Sequence, residues 1–113
     1  MKKVEAIIRP EKVNAVKDAL VEGGFIGLNT APVTGRGAQR GIVHQGRSGQ
    51  SIAIDMLPKT KMELVVGDGD AERVCDIIIK AARTGEIGDG KIFISNVEEV
   101  IRVRTGERGE TAL

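Results

Sequence analysis

The stretch RTGEIGDGKIFIS, Arg83–Ser95, decides the fold. It packs three glycines, one aspartate and one lysine into Arg83–Lys91 and then turns abruptly apolar. Gly85 and Gly90-Lys91 satisfy the opening of the phosphate-loop pattern G-x-x-x-x-G-K. A Walker loop follows a strand, opens a helix, and ends in Lys plus Ser or Thr to hold magnesium. Here a helical pattern comes before the loop, a β-rich run comes after it, and Ile92 takes the hydroxyl position. The stretch is therefore a helix-to-strand connection and not a Walker loop. One glycine at the helix end would suffice for such a connection. Three leave successive backbone N–H groups room to converge on an anion without Cβ obstruction, with Lys91 adding a point charge. Downstream, Arg102 and Arg104 lie two apart in a run that reads as a strand, which would point both to one face.

Outward from this loop the elements fall into order. Ala71–Arg83 carries Val74, Ile78 and Ala81 on one helical face, after a "GDGD" turn whose Asp70 is placed to cap the helix. Met62–Val66 reads as a strand. Near the start, Val4, Ala6 and Ile8 alternate within Lys2–Arg9, as a half-buried strand requires. Pro10 suits a first helical turn. Val13, Val16, Ala19 and Leu20 share one face of the helix that follows, and Gly23-Gly24 stop it. Phe25–Thr34 reads as a second strand, with Pro32 marking an edge or a bend. From Gly35 to about Ala53 the periodicity disappears and five glycines appear, which predicts a long mobile loop. A last short strand is expected around "EVIRVR". The order β-α-β-(long loop)-β-α-β predicts an α+β, ferredoxin-like βαββαβ sandwich. Residues 1–113 make one domain, and its free sheet edge favours oligomerisation.

Composition excludes several function classes. A net charge of +1 gives no global pull toward nucleic acid or an anionic membrane. With Phe25 and Phe93 as the only aromatics, base-stacking platforms for single-stranded nucleic acid are hard to build. No apolar run approaches the ~18 residues of a membrane span, so no membrane insertion is expected. The N-terminus lacks a signal-peptide pattern and is read as the start of the fold. Cys75, the single cysteine, excludes an internal disulfide; it sits in an apolar helical setting and is read as a buried, inert thiol in a cytoplasmic protein. His44, the single histidine, lacks neighbouring ligands for a metal cluster. A phosphoryl-transfer enzyme using His44 as nucleophile is the rival reading, weakened by a glycine-rich setting with no adjacent carboxylate to orient the ring.

Taken together, "TGEIGDGKIFIS" and "VEEVIRVRTGERG" closely resemble the C-terminal signature of the PII nitrogen-regulatory signal proteins. "MKKVEAIIRPEKV" resembles their first strand and helix, and "GRGAQRG" with "DMLPKTKMELVV" the two ends of their long T-loop, here about residues 35–55. The resemblance spans nearly the whole chain. It implies a non-enzymatic homotrimer, with no catalytic residues, that binds ATP or ADP in clefts between subunits. The implied phosphate-binding positions are Gly37, Gly88, Asp89, Gly90, Lys91, Arg102 and Arg104. Those implied on the nucleoside side are Ile7, Gly27, Asn29, Gly35, Glu63 and Val65, with Asn29 standing where many members carry threonine.

The resemblance also implies a second ligand, 2-oxoglutarate, held with Mg2+ shared by the ATP phosphates. Gln39 would be the metal ligand and Lys59 the carboxylate partner, with Gly37 and Gly41 contributing backbone. The T-loop would contact a target: a nitrogenase-related protein, glutamine synthetase or an ammonium channel. The departure lies at the loop tip. Many members carry a uridylylated tyrosine there, whereas this chain has no tyrosine, and "IVHQGRSGQSIAI" lacks the usual tip sequence. A nitrogen-fixation-linked or otherwise atypical T-loop subgroup is therefore expected. Ser48 and Ser51 are hydroxyls in the same loop, but exposed loop serines are common and neither is read as a modification site.

Overall fold

Val4, Ala6 and Ile8 alternate along β1 (Lys2–Ile8) and are all buried, as their period of two dictates. The structure, a computed structural model, describes residues 1–37 and 56–113 and the backbone of Val43–Gln45 and Ser51–Ala53. Pro10 opens a single 3-10 turn, Pro10–Lys12, that leads into α1 (Val13–Glu22). Gly23 and Gly24 end that helix, and Phe25 N–H bonds back to Leu20 O at 2.8 Å. Then follow β2 (Asn29–Gly35), β3 (Val43–Gln45), β4 (Ser51–Ala53), β5 (Leu57–Val66), α2 (Ala71–Ala82) and β6 (Lys91–Asn96).

Four strands make one antiparallel sheet in the order β2-β5-β1-β6. Both helices pack against the same face of it. Val16 and Leu20 from α1, and Val74, Cys75, Ile78 and Ala82 from α2, join Val4, Ala6, Ile8, Met62, Leu64 and Val66 in one core. This is the ferredoxin-like α+β sandwich expected. Burial raises the pKa of the Cys75 thiol, so the side chain behaves as a small apolar group. Among the described residues, no helix is long and apolar enough to cross a membrane.

Several boundaries differ from the sequence reading, each for a physical reason. The second strand starts at Asn29, and Phe25 and Leu28 instead pack against the core from the connection. β5 begins at Leu57, well before Met62, because pairing with β2 from Gly35↔Leu57 to Asn29↔Glu63 holds residues with no apolar pattern of their own. Pro32 lies in β2, an edge strand, where a missing N–H is tolerated. Asp70 makes no side-chain cap of α2; its carboxylate lies 4.0 Å from Arg73, whose guanidinium stacks over the Phe25 ring. Between residues 35 and 53, β3 and β4 form an antiparallel pair, with His44↔Ile52 in register.

The expected C-terminal strand shrinks to one bridge, Ile101↔Arg108. The chain reverses at Val103–Thr105, closed by Gly106 N–H on Arg102 O at 2.7 Å. Arg102 and Arg104 are therefore not successive same-face residues of a strand.

Candidate functional site

The glycine loop is organised by one carboxylate. Asp89 accepts from Thr84 N–H and Gly85 N–H, both at 2.9 Å, from the Thr84 hydroxyl, and from Arg9 Nε at 3.1 Å. The Thr84 hydroxyl in turn accepts Glu86 N–H at 3.1 Å. Asp89 thus ties the end of α2 to the start of β6 and closes Thr84–Asp89 into a ring. The Thr84 hydroxyl above all, then the Thr84 and Gly85 amides and Arg9, hold this carboxyl well below its ordinary pKa of 3.8. A depressed carboxylate pKa stabilises the fold above the unfolded value and loses that stabilisation as pH falls through the lowered one. The loop should therefore keep its Thr84 and Gly85 amide shifts through pH 3.8 and release them only well below it. Carboxyl and amide NMR titrations check this; titration of Asp89 near its ordinary value would contradict the ring.

Beneath the ring, Gly90 lies directly on β1. A Cβ at that position would fall 1.7 Å from Ile7 O, and its φ is +102. Two cations approach the loop's other side. Arg9 donates to Ile87 O at 2.8 Å, and the Lys59 ammonium donates to Gly88 O. Partial burial, and next the neighbouring Arg9 charge, lower the Lys59 pKa. Lys91 opens β6 opposite Ile7, and a cavity of about 280 Å³ lies behind it, lined by Ile8, Ile78, Ala82, Arg83 and Gly90 among others. Lysines flanking glycine-freed amides make an anion-binding arrangement.

The residues expected at a site divide into two groups. Ile7, Gly88, Asp89, Gly90, Lys91 and Lys59 come together around the loop, with Gly35 beside the Lys59 stem at 3.9 Å for an added Cβ and Gly37 just past the end of β2. Asn29 and Glu63 face each other in mid-sheet beside Glu5, and Glu63 pairs with Lys3 at 3.8 Å. Gly27 and Val65 line a second cavity of about 320 Å³ together with Leu113. Arg102 belongs to that end: it donates to Leu113 O at 3.4 Å, to Thr111 O at 3.2 Å and to Glu107 at 3.3 Å. Arg104 is exposed on the reversing turn. Gln39 and Gly41 lie outside the described residues.

Within one chain, the arginines and the glycine loop do not meet. The C-terminal segment leaves β6 beside the start of β1, where Val97 N–H bonds to Met1 O at 3.1 Å. The loop sits at β1's other end, where Ile7 pairs with Lys91. From the Lys2↔Asn96 pair to the Ile7↔Lys91 pair is five steps of strand, about 17 Å at the usual rise. Within a single chain, the glycine loop and the Arg102 segment thus lie at opposite ends of the sheet.

The family model described as "Nitrogen regulatory protein P-II" matches residues 1–107. The chain belongs to the P-II family. It is 54% identical over 113 residues to "Nitrogen regulatory protein P-II 2" of Methanothermobacter thermautotrophicus, covering all of this chain and 97% of that protein. It is also 54% identical to the "Nitrogen regulatory protein P-II" of Nostoc punctiforme and 51% identical to that of Porphyra purpurea, with both chains covered in full. P-II proteins are signalling proteins and not enzymes, which sets aside phosphoryl transfer through His44. The His44 side chain lies outside the described residues.

Arg9 and Thr84 are missing from the sequence reading, although both shape the P-II glycine loop. A cation directly after the first strand and an acidic residue, Asp89, among the loop's glycines were the available signal.

Proposed function

We propose that this P-II protein is a homotrimeric sensor of ATP, ADP and 2-oxoglutarate that regulates a nitrogen-metabolism target through residues 35–55. The observation that carries this reading is the pair of half-sites: a glycine loop flanked by Lys59 and Lys91 at one end of the sheet, and Arg102 beside the Gly27–Val65 cavity at the other. In a trimer, the loop of one copy meets the arginines and cavity of the next, so that phosphates bridge them and the base enters the cavity. Gly37, Gly88, Asp89, Gly90, Lys91, Arg102 and Arg104 take the phosphates, Asp89 acting through the ring it closes. Ile7, Gly27, Asn29, Gly35, Glu63 and Val65 take the nucleoside. Phe93, Ile101 and Val103 are 51, 50 and 100% exposed in the isolated chain, apolar surface that a neighbouring copy would cover.

Magnesium would arrive on the nucleotide's own phosphates, with Gln39 as its protein ligand. Lys59, partly buried and already beside the loop, fits the carboxylate of 2-oxoglutarate, with Gly37 and Gly41 assisting. Such an acid binds next to a triphosphate only where magnesium and Lys59 offset the repulsion, so its binding requires ATP. The target is one of the nitrogenase-related, glutamine synthetase or ammonium-channel class, and its control runs through ligands, since no tyrosine exists to accept a uridylyl group.

Calorimetry tests the assignment. Arg104→Ala should weaken ATP by about one to two decades, the loss of one charge-assisted hydrogen bond. In the wild type, 2-oxoglutarate should give heat with Mg-ATP and little with ADP, and Lys59→Ala should remove that heat. Wild-type ATP affinity in Arg104→Ala would remove the arginine from the site, and equal uptake of the acid with ATP and ADP would contradict a γ-phosphate-linked site.

A further inference from the structure

The contacts of the loop's carbonyls fix the direction of its amides. A peptide unit is planar and trans, so its C=O and N–H point in opposite directions. Ile87 O is drawn to Arg9 at 2.8 Å, which turns the Gly88 N–H to the far side of that plane. Gly88 O is drawn to the Lys59 ammonium, which does the same to the Asp89 N–H. Arg9 also reaches Asp89 through Nε at 3.1 Å, so a single guanidinium holds both a carbonyl within the loop and the carboxylate that closes it. Its side chain is only 23% exposed, and a Cβ at Gly88 would stand 3.3 Å from it, so the guanidinium lies against the loop.

We propose that Arg9 is a positioning residue of the phosphate site: by fixing the Ile87 carbonyl and the Asp89 carboxylate, it aims the Gly88 amide at the ligand before the ligand arrives. This rests on the nucleotide-sensing reading above and adds a residue that the reading does not contain. Arg9 need not touch a phosphate. Its two hydrogen bonds leave from different nitrogens of one rigid fork, a geometry an ammonium cannot reproduce. Lys59 has the companion role toward Gly88 O, and because an ammonium has three donors it can keep that bond while engaging a second acceptor.

The test combines calorimetry with amide NMR on the intact oligomer for wild type, Arg9→Ala and Arg9→Lys. In Arg9→Ala, ATP affinity should fall about tenfold through lost preorganisation, adenosine affinity should stay unchanged, and Arg9→Lys should recover only part of the loss. In protein without nucleotide, the Gly88 and Asp89 amide resonances should already shift and broaden in Arg9→Ala. Adding Asp89→Asn to Arg9→Ala should cost less than the sum of the two single changes, since both break the same clamp. ATP affinity equal to wild type in Arg9→Ala would overturn the proposal, as would a loss of affinity with the ligand-free Gly88 and Asp89 amides unmoved, which would mark a direct charge contact. A wild-type protein that binds no ATP at all would instead defeat the sensing reading and take this proposal down with it.

Discussion

Gly90→Ala should abolish nucleotide binding and destabilise the fold by about 3 kcal/mol or more. The new Cβ would fall 1.7 Å from Ile7 O and 2.8 Å from Ile7 C, well inside contact distance, at a φ of +102. Ile7 cannot retreat, because β1 is paired on both sides there, with Lys61 and with Lys91. Relief requires the loop to swing off β1, which unpairs the start of β6 and opens the Asp89 ring. Chemical denaturation should show a lower midpoint, and calorimetry no ATP heat. Gly85→Ala separates close approach from backbone strain: φ is +88 there too, but nothing lies within 4 Å of an added Cβ. That variant should cost only about 1–2 kcal/mol and retain ATP binding. A Gly90→Ala protein with the wild-type midpoint would show that the loop is not seated on Ile7.

What the sequence revealed, and what it hid, follows from the range of the interactions involved. The alternation of Val4, Ala6 and Ile8 and the helical face through Val74 and Ile78 are local patterns, and the core they foretell is the core observed. Gly88, Gly90 and Lys91 were legible because glycine density beyond the needs of a connection is itself a signal. The residues Leu57–Lys61 gave no such signal: their strand state comes from pairing with β2, a contact between segments separated by the long loop. Arg9 and Asp89 are 80 positions apart, and only the fold brings them to 3.1 Å. Arg102 and Arg104 misled for the converse reason. Their spacing of two is that of a strand face, yet the Gly106 N–H to Arg102 O bond turns the chain before Arg104 can share it.

In the proposed trimer, ligand binding is a property of neighbouring copies. Take two chains: one Arg104→Ala, whose glycine loop is intact, and one Lys91→Ala, whose C-terminal segment is intact. Each alone should bind ATP weakly, since every site in its homotrimer is broken on one side. In a mixed trimer, whichever chain is in the majority, the cyclic order leaves one junction where an intact loop faces an intact arginine. Two orthogonal tags on co-expressed chains isolate the mixed species, and calorimetry counts its sites. The account predicts one site per mixed trimer at wild-type affinity, against three in the wild type. Mixed trimers that bind no more tightly than the two parents would contradict it, and would place loop and arginines in the service of one chain.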